Sequence, residues 1–304
     1  MNAALDALAT ELYVTVDDIL LANSQLVPPR PTVGIAPRLS DAELVTLAVL
    51  QALLGYNDEA RFIRYAHIHL RALFPYLPQR PAYNKRLRRS ATMLAGVMRQ
   101  LASRCAAWFD DVWLIDSTPV ECGRSRETVK RSNLAGDAGY GYCSSHSRWF
   151  WGFRLHLIAT PAGLPIAYAL TSPKDDERLV ARDLFETDTS LLAHRQGQIL
   201  MADKGYRSAE FDASLAAHGA TVIRPTFGND PARPGQRFLR PFPQIIESIN
   251  QTLKLQLDLE RHAARSLAGV AARVLQRLLA LTAVIWHNEH THRPVLRSLT
   301  AYDH

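Results

Sequence analysis

Apolar residues in the first hundred positions recur at three- and four-residue intervals, which is the period of an α-helix. The first stripe of this kind consists of Leu5, Leu8, Leu12, Val16 and Ile19. Ser40 precedes Glu43 by three residues, the spacing of a capping box, and so predicts the start of a second helix. The N-terminal segment is therefore predicted to be helical, with a proline-rich linker over residues 28–37.

From about residue 111 the pattern changes to short apolar runs, which are typical of buried strands. Two of these runs end at an aspartate: residues 112–115 lead to Asp116, and residues 199–202 lead to Asp203. The remaining periodic segments predict a strand over 221–223 and helices over 176–185 and 208–218, from residue 244 onward, and over 267–285.

Residues 149–159 alternate between apolar and polar positions, as a half-buried strand does, and residues 166–170 supply a partner strand after a turn. Residues 123–148 are rich in Gly, Ser and Arg and predict a long irregular segment, and a Pro-, Gly- and Arg-rich loop follows over 225–243. This order of strands and helices predicts an α/β fold with a mixed sheet flanked by helices.

A chain of 304 residues is long enough for one sizeable core and a smaller module. We predict a helical N-terminal domain over residues 1–108 and an α/β domain with a C-terminal helix over residues 109–304. The N-terminus carries Asp6 and Glu11 and no basic cluster, and the apolar run near residues 44–55 is too short to span a membrane. These features predict a cytoplasmic protein without a membrane partner.

The charges are unevenly distributed along a chain whose net charge is +6. Residues 1–60 hold two basic and eight acidic groups, whereas residues 61–104 hold ten basic groups and no acidic one. Cations without counter-charges are suited to neutralising phosphates, although a solvated helix face has the same composition. The predicted DNA-binding residues of this segment are Arg61, Arg64, Lys85, Arg86, Arg88 and Arg89.

Three carboxylates are candidates for metal chemistry because of their positions. Asp116 and Asp203 close predicted buried strands, and Glu247 lies near the start of a predicted helix. Each acid taken alone is explained more readily as a capping or loop carboxylate. Acids that converge in a protein repel one another, and a hard divalent cation relieves that repulsion. Two such ions can hold the attacking and the leaving oxygen of an in-line phosphoryl transfer.

Four short motifs resemble those of the DDE-type transposases of bacterial insertion sequences. Around the three acids, residues 115–120 read IDSTPV, residues 202–206 read ADKGY, and residues 246–248 read IES with Lys254 seven positions after Glu247. Residues 151–156, WGFRLH, resemble the strand motif of the same family. The resemblance extends from about Asp111 to the C-terminus, and the N-terminal helices match more loosely.

The resemblance implies a ribonuclease-H-like catalytic domain with Asp116, Asp203 and Glu247 as catalytic and metal-binding residues. It also implies two Mg²⁺ ions, for which Mn²⁺ can substitute, and cleavage at the element ends followed by strand transfer into target DNA. The implied partners are terminal inverted repeats, target DNA and further copies of the chain assembled on DNA. The expected location is the cytoplasm, in association with the nucleoid.

Four residues near the motifs are predicted to contact DNA: Lys254, Lys204, Arg154 and His156. Glu247 and Lys254 are seven residues apart, close to two turns of an α-helix, which predicts that they share one helix face. Lys204 follows Asp203 directly, and the other two residues share one face of the alternating strand.

One position departs from the family pattern, because Pro243 stands four residues before Glu247 where the related signature has an arginine. This departure leaves open a non-catalytic DNA-binding protein derived from a transposase. A nuclease of the same fold that cuts without joining is a further alternative, because it would use the same metal site.

Overall fold

The computed structural model describes residues 3–29, 36–143, 147–226, 239 and 241–303. These residues form a mixed α/β structure, which confirms the predicted class, and they divide into two compact units. The first unit comprises Met1–Cys105 and Leu253–His304, and the second comprises Ala106–Thr252. Most of the linker predicted over 28–37 and of the loop predicted over 225–243 lies outside the described residues.

The second unit contains both strands and helices, whereas the first unit contains helices. In chain order the elements are α1 (Ala3–Ala22), α2 (Asp41–Leu53), α3 (Glu59–His69), α4 (Arg80–Arg89), α5 (Ala91–Ala102), β1 (Val112–Gly123), α6 (Arg126–Arg131), β2 (Gly139–Cys143), β3 (Arg148–Ala159), β4 (Pro165–Thr171), α7 (Glu177–Thr187), β5 (Ile199–Met201), α8 (Ala209–Ala217), β6 (Thr221–Ile223), α9 (Phe242–Gln251) and α10 (Leu267–His290).

The predicted N-terminal helices form where the apolar stripe and the capping box placed them. The stripe of α1 is buried, and the Ser40 hydroxyl accepts a hydrogen bond from the Glu43 backbone N–H at the start of α2. The Glu43 carboxylate in turn accepts from the Ser40 N–H over 2.6 Å between N and Oε2, which completes the capping box. Two otherwise unpaired backbone donors are thus satisfied at this helix start.

The last helix, α10, is the central element of the first unit. It packs against α1, α2, α4 and α5, and most of its residues are buried. By length and composition α10 is apolar enough to cross a membrane, but 83% of its most apolar window is buried inside the protein. Such burial is what the core helix of a globular unit requires.

The position of α10 bears on the predicted division of the chain. The prediction assigned the C-terminal helix to the same domain as the sheet, over residues 109–304. In the structure, α10 belongs to the compact unit of the N-terminal helices, and the chain enters and leaves the sheet-containing unit near Cys105 and Leu253. The predicted domain boundary at residue 108 stays a prediction, because compact units in the structure do not test whether each part folds and functions independently.

Among the described residues, the second unit is built on a six-stranded mixed sheet. Strand β3 pairs antiparallel with β1 on one edge and with β2 and β4 along the other, and β1 also pairs in parallel with β5. Strand β6 extends the sheet by pairing in parallel with β5. Helix α7 packs on β3 and β4, and α9 packs on β1, so helices lie against the strands that carry the predicted site.

Strand β1 is longer than predicted, because it continues past Asp116 to Gly123. Its pairing with β5 ends at Leu114, whereas its pairing with β3 continues. Within the described residues, one edge of β1 therefore lacks a partner strand beyond Leu114, and Pro119, which has no N–H to donate, is tolerated there. The prediction that Asp116 closes the strand was wrong, since the strand ends only where β3 stops pairing with it.

The structure explains the glycine of the WGFRLH motif, Gly152 of β3. A Cβ atom at this position would collide with the backbone carbonyl oxygen of Val120 on the neighbouring strand. The residue is glycine because the two strands approach each other closely at this point. The segment predicted as irregular over 123–148 contains α6 and β2, and residues 144–146 of it lie outside the described part of the chain.

Candidate active site

Asp116 and Asp203 are aligned on the parallel strands β1 and β5. The last pair of this ladder is Leu114 with Met201, and each aspartate lies two residues further along its own strand. Parallel strands point the same way, so both aspartates lie at the same level, just beyond the end of the parallel pairing. That Asp116 and Asp203 hold a metal ion together, as the family resemblance implies, stays a prediction.

The two carboxylates lie where ionisation is disfavoured. Burial raises the pKa of Asp116 to about 6, against hydrogen bonds from Ser117 and Asn250 that lower it, and the charges of Asp203 and Glu177 add to the increase. Asp203 is exposed as a residue, yet partial burial of its carboxylate raises its pKa, and the charge of Glu177 raises it further. Desolvation and like charges are the two ordinary causes of such shifts.

Glu247, the third predicted acid, lies in the middle of α9 and is exposed. Its Oε1 accepts a hydrogen bond from Gln251 Nε2 at 3.2 Å. Asn250, one helical turn from Glu247, reaches Asp116 and donates from Nδ2 to Oδ2 at 2.8 Å. Across the part of the chain that the structure describes, no three His, Cys, Asp or Glu side chains lie close enough together to hold a metal ion.

The segment after α9 differs from the predicted continuous helix. Residues Thr252–Gln256 form a π-helical turn, and Lys254 lies within it. The Lys254 ammonium is 3.7 Å from Glu260 Oε1, and its side chain is largely buried. The prediction that Glu247 and Lys254 share a face assumed an uninterrupted α-helix, so the seven-residue spacing no longer supports it.

Arg154, predicted to contact DNA, is engaged within the sheet unit. Its Nη1 donates to Glu177 Oε1 and to Ser117 Oγ, and its Nη2 donates to the Tyr142 carbonyl oxygen at 3.1 Å. Its guanidinium is largely buried, and a bidentate grip on a DNA phosphate would require it to leave these partners. The arrangement favours a positioning role for Arg154 over direct DNA contact.

His156 is fully buried, and its Nε2 lies 3.2 Å from Thr171 Oγ1. Burial lowers the pKa of His156 to about 4, so the ring is neutral at pH 7. This burial argues against the predicted DNA contact, because the ring has no surface to present. Lys204, by contrast, is exposed in the short 3₁₀ turn Lys204–Tyr206 that follows Asp203.

Gly205 lies between two carboxylates. Its N–H donates to Asp203 Oδ1 at 2.8 Å, which orients that carboxylate. A Cβ atom on Gly205 would be 3.0 Å from Asp203 Oδ1 and 3.3 Å from Glu177 Oε2. The glycine of the ADKGY motif therefore keeps open the space between Asp203 and Glu177.

The basic residues of the first unit divide into exposed and paired ones. Arg61 and Arg64 are exposed on α3, and Lys85, Arg88 and Arg89 are exposed on α4. Arg86 instead donates to Asp41 Oδ1 at 2.6 Å and to the Leu39 carbonyl oxygen, so it ties α4 to the start of α2. The predicted role of Arg86 in DNA contact is the weakest of the six, because its guanidinium already has internal partners.

The exposed cations of α4 border an open groove with a volume of about 650 Å³. The groove is lined by Arg80, Pro81, Asn84, Lys85, Arg88, Arg89 and Ala268. Cations at the last turn of a helix are also stabilised by the helix dipole, which accounts for part of this clustering. The positive charge around the groove is also suited to binding a polyanion.

Comparison with known protein families identifies the sheet unit. Residues 106–267 match the family described as the transposase DDE domain, and the match spans more than half of the 304 residues. The chain therefore belongs to the family of transposases with a DDE domain, and membership implies DNA binding and DNA transposition. A search of curated proteins found no significant match.

Several residues of the site were not predicted from the sequence. Glu177 begins α7, and its charge raises the pKa of both aspartates. Ser117 and Asn250 donate hydrogen bonds to acids of the site. Ser117 lies within the IDSTPV motif and Asn250 follows Glu247 by one helical turn, so motif proximity was an available signal for both. Glu177 carried no such signal in the sequence, because acids are common in the first turn of a helix, where the helix dipole stabilises them without any functional role.

Proposed function

We propose that this chain is a transposase that cleaves DNA at the ends of a mobile element and joins those ends to target DNA. The observation that carries the proposal is the alignment of Asp116 and Asp203 two residues beyond the last pair of adjacent parallel strands. Their raised pKa values support it, because two desolvated acids of like charge are stabilised by a cation.

We also propose that the sheet unit has the ribonuclease-H-like fold that the sequence motifs imply. The support is the order of its elements: antiparallel strands β1 to β4 come first, and β5 and β6 then add in parallel with helices between them. Pro243 does not oppose this assignment. It occupies the second position of α9, in the first turn of the helix, where proline is well accommodated.

The donor set fits a divalent cation such as Mg²⁺ or Mn²⁺, because carboxylate oxygens are hard ligands. Asp116 and Asp203 would hold it, with Glu247 entering from α9, whose Asn250 already contacts Asp116. Two such ions would neutralise the acids and stabilise charge that develops on the phosphoryl oxygens. The Gly205 N–H and the Asn250 amide would keep the carboxylates oriented before DNA binds.

The proposed reaction consists of two phosphoryl transfers. In the first, water attacks the phosphodiester at the element end, the bond to the 3′ oxygen breaks, and a 3′-hydroxyl and a 5′-phosphate are released. In the second, that hydroxyl attacks a phosphodiester of target DNA, and a 3′-hydroxyl of the target strand leaves. The protein forms no covalent bond to DNA, so the role of its residues is to position and to stabilise charge.

The exposed cations of α3 and α4 would bind the inverted repeats mainly through phosphates, which supply affinity and orientation. Assembly of several copies on the two element ends belongs to the same proposal, as does a cytoplasmic location at the nucleoid. A non-catalytic DNA-binding protein and a nuclease without joining activity predict different products in the following experiment.

The test is incubation of a plasmid carrying the gene's own flanking DNA with the protein and Mg²⁺ or Mn²⁺. Wild type is compared with Asp116→Ala, Asp203→Ala and Glu247→Ala, and with Asp183→Ala on the exposed part of α7 as a control. Cuts at the flanks that require the metal, persist in the control and vanish in the three variants support the proposal. Cuts without joined products favour the nuclease, and binding without cleavage under either metal overturns the enzymatic proposal.

A further inference from the structure

Glu177 is an acid that the three-residue signature does not include. It is the first residue of α7, and its Oε1 accepts hydrogen bonds from Ser117 Oγ and from Arg154 Nη1. In the described part of the chain no group donates to Oε2. The carboxylate is thus fixed through one oxygen, while the other remains available to a ligand.

The available oxygen faces the same point as Asp203. The position that a Cβ atom of Gly205 would occupy lies 3.0 Å from Asp203 Oδ1 and 3.3 Å from Glu177 Oε2. The side chain of Glu177 is 24% exposed, so solvent ions can reach it. Two carboxylate oxygens around an open position form the kind of environment that hard cations take.

The Tyr206 hydroxyl is a second, independent indication of a ligand. Tyr206 is fully buried, and its Oη has no hydrogen-bond partner among the described residues. Burial raises the pKa of Tyr206, and the charges of Glu177, Asp116 and Asp203 raise it further, so the hydroxyl lies within electrostatic range of these acids. A buried hydroxyl without a partner is costly, and a water or ligand oxygen bound between the acids would satisfy it.

We propose that Glu177 supplies an oxygen, through Oε2 and beside Asp203 Oδ1, to the divalent cation of this site. The inference rests on the proposed function, since it assumes that the site binds a cation. Arg154 and Ser117 then act as positioning residues, because they hold Glu177 through Oε1 and leave Oε2 directed toward Asp203. This assignment also explains why Arg154 is engaged with Glu177 within the sheet unit.

A purely structural role for Glu177 makes a different prediction. If Glu177 only compensates the buried charge of Arg154, the Glu177→Gln variant loses stability, and any loss of cation affinity caused by the uncompensated guanidinium is reversed when Arg154 is also replaced. If Glu177 binds the cation, affinity falls even in the variant Glu177→Gln/Arg154→Gln, which removes both members of the ion pair and leaves no uncompensated charge. The double variant thus keeps the proposal testable when the single variant folds poorly.

The experiment measures Mn²⁺ binding to the full-length protein by the electron paramagnetic resonance signal of free Mn²⁺, without DNA. The variants are Asp203→Asn, Glu177→Gln, the double variant and Asp183→Asn, an exposed acid of the same helix. We expect Asp203→Asn to lose binding, the two Glu177 variants to bind at least about tenfold more weakly, and Asp183→Asn to bind as wild type does.

Unchanged affinity in both Glu177 variants, with binding lost in Asp203→Asn, overturns the role of Glu177 and leaves the proposed function standing. Absence of Mn²⁺ binding by wild type overturns both proposals together, so the two failures are distinguishable. Weaker binding in the single variant with full recovery in the double variant assigns Glu177 to charge compensation alone and also overturns the inference.

Discussion

Asp116 and Asp203 occupy matched positions on two adjacent parallel strands, each two residues beyond the last paired residues of the ladder. Asp203 lies two residues after a strand of only three residues, whereas Asp116 lies within a strand of twelve. What the two positions share is that the pairing of β1 with β5 has ended. The carboxyl ends of parallel strands are a common location for ligand-binding residues in α/β proteins.

The burial of Asp116 predicts that Asp116→Asn stabilises the protein at pH 8 in the absence of divalent cations. The pKa of Asp116 rises from 3.8 to about 6 on folding, so the native state favours the protonated form. Its ionisation therefore costs stability as the pH rises from about 4 to 6, by up to about 3 kcal/mol. Urea unfolding of both proteins at pH 8 and pH 4 measures the difference.

We expect the free energy of unfolding of the variant to exceed that of wild type by about 1–3 kcal/mol at pH 8 and to match it near pH 4. Added Mg²⁺ should narrow the gap at pH 8 by stabilising wild type alone. A variant that is less stable than wild type at both pH values would contradict the assignment of Asp116 as a desolvated acid.

A second prediction concerns Gly205. The substitution Gly205→Ala would introduce a methyl group between Asp203 Oδ1 and Glu177 Oε2, so cleavage of plasmid DNA should fall by at least about tenfold (1.4 kcal/mol of transition-state stabilisation). The thermal midpoint should change little, because the turn has no positive backbone angle at this position. The matched control is Gly136→Ala, since a methyl group there meets no atom within 4 Å. Equal cleavage by both alanine variants would show that the space next to Asp203 is not used.

The exposed cations of α4 predict a salt-dependent loss of DNA affinity. Replacing Lys85, Arg88 and Arg89 by glutamine should weaken binding to any duplex and lower the slope of log affinity against log salt by about 1 for each lost phosphate contact. Fluorescence anisotropy with a labelled duplex at several salt concentrations measures both quantities. An unchanged slope would remove these residues from the DNA-binding surface.

Arg86 provides the contrast within the same helix. Its guanidinium bonds to Asp41 and to the Leu39 carbonyl oxygen, so Arg86→Ala should lower the unfolding free energy by about 1–3 kcal/mol, the cost of leaving such partners unpaired. The salt slope of binding should stay near that of wild type. If Arg86→Ala instead lowers the salt dependence of DNA affinity and leaves the unfolding free energy unchanged, Arg86 contacts DNA.

His156 gives a prediction at acidic pH. Its pKa falls from 6.5 to about 4 on folding, so the unfolded chain takes up a proton before the native protein does. The stability associated with the neutral ring is present above pH 6.5 and is lost as the pH falls toward 4, by up to about 3 kcal/mol. We expect His156→Gln to remove this part of the acid sensitivity and to leave DNA affinity unchanged, as urea unfolding and anisotropy would measure.

Sequence patterns predicted those elements whose periodicity is strong and local. The stripe of α1, the capping box of α2 and the apolar run of β5 each agree with the structure, since adjacent residues suffice to specify them. The end of β1 was misplaced, because Asp116 and Pro119 are residues that usually terminate strands and only the length of β3 overrides them.

The site was predictable only as far as its motifs extend. Asp116 and Asp203 carry distinctive neighbours in sequence, whereas Glu177 is separated from both by dozens of residues and is brought near them by the packing of α7 on β3 and β4. The π-helical turn at Lys254 also left no local signal. Its residues are compatible with an ordinary α-helix, so the seven-residue spacing was misleading.

The membership of α10 in the unit of the N-terminal helices makes the sheet unit an insertion within a helical bundle rather than a module appended to its end. Both ends of the inserted segment therefore continue into the unit of the N-terminal helices and α10. Deletion of the first hundred residues would therefore strip α10 of the partners α1, α2, α4 and α5 and leave its apolar faces in water. A soluble helical fragment is better sought by replacing residues 106–252 with a short flexible bridge than by truncating the chain at either terminus.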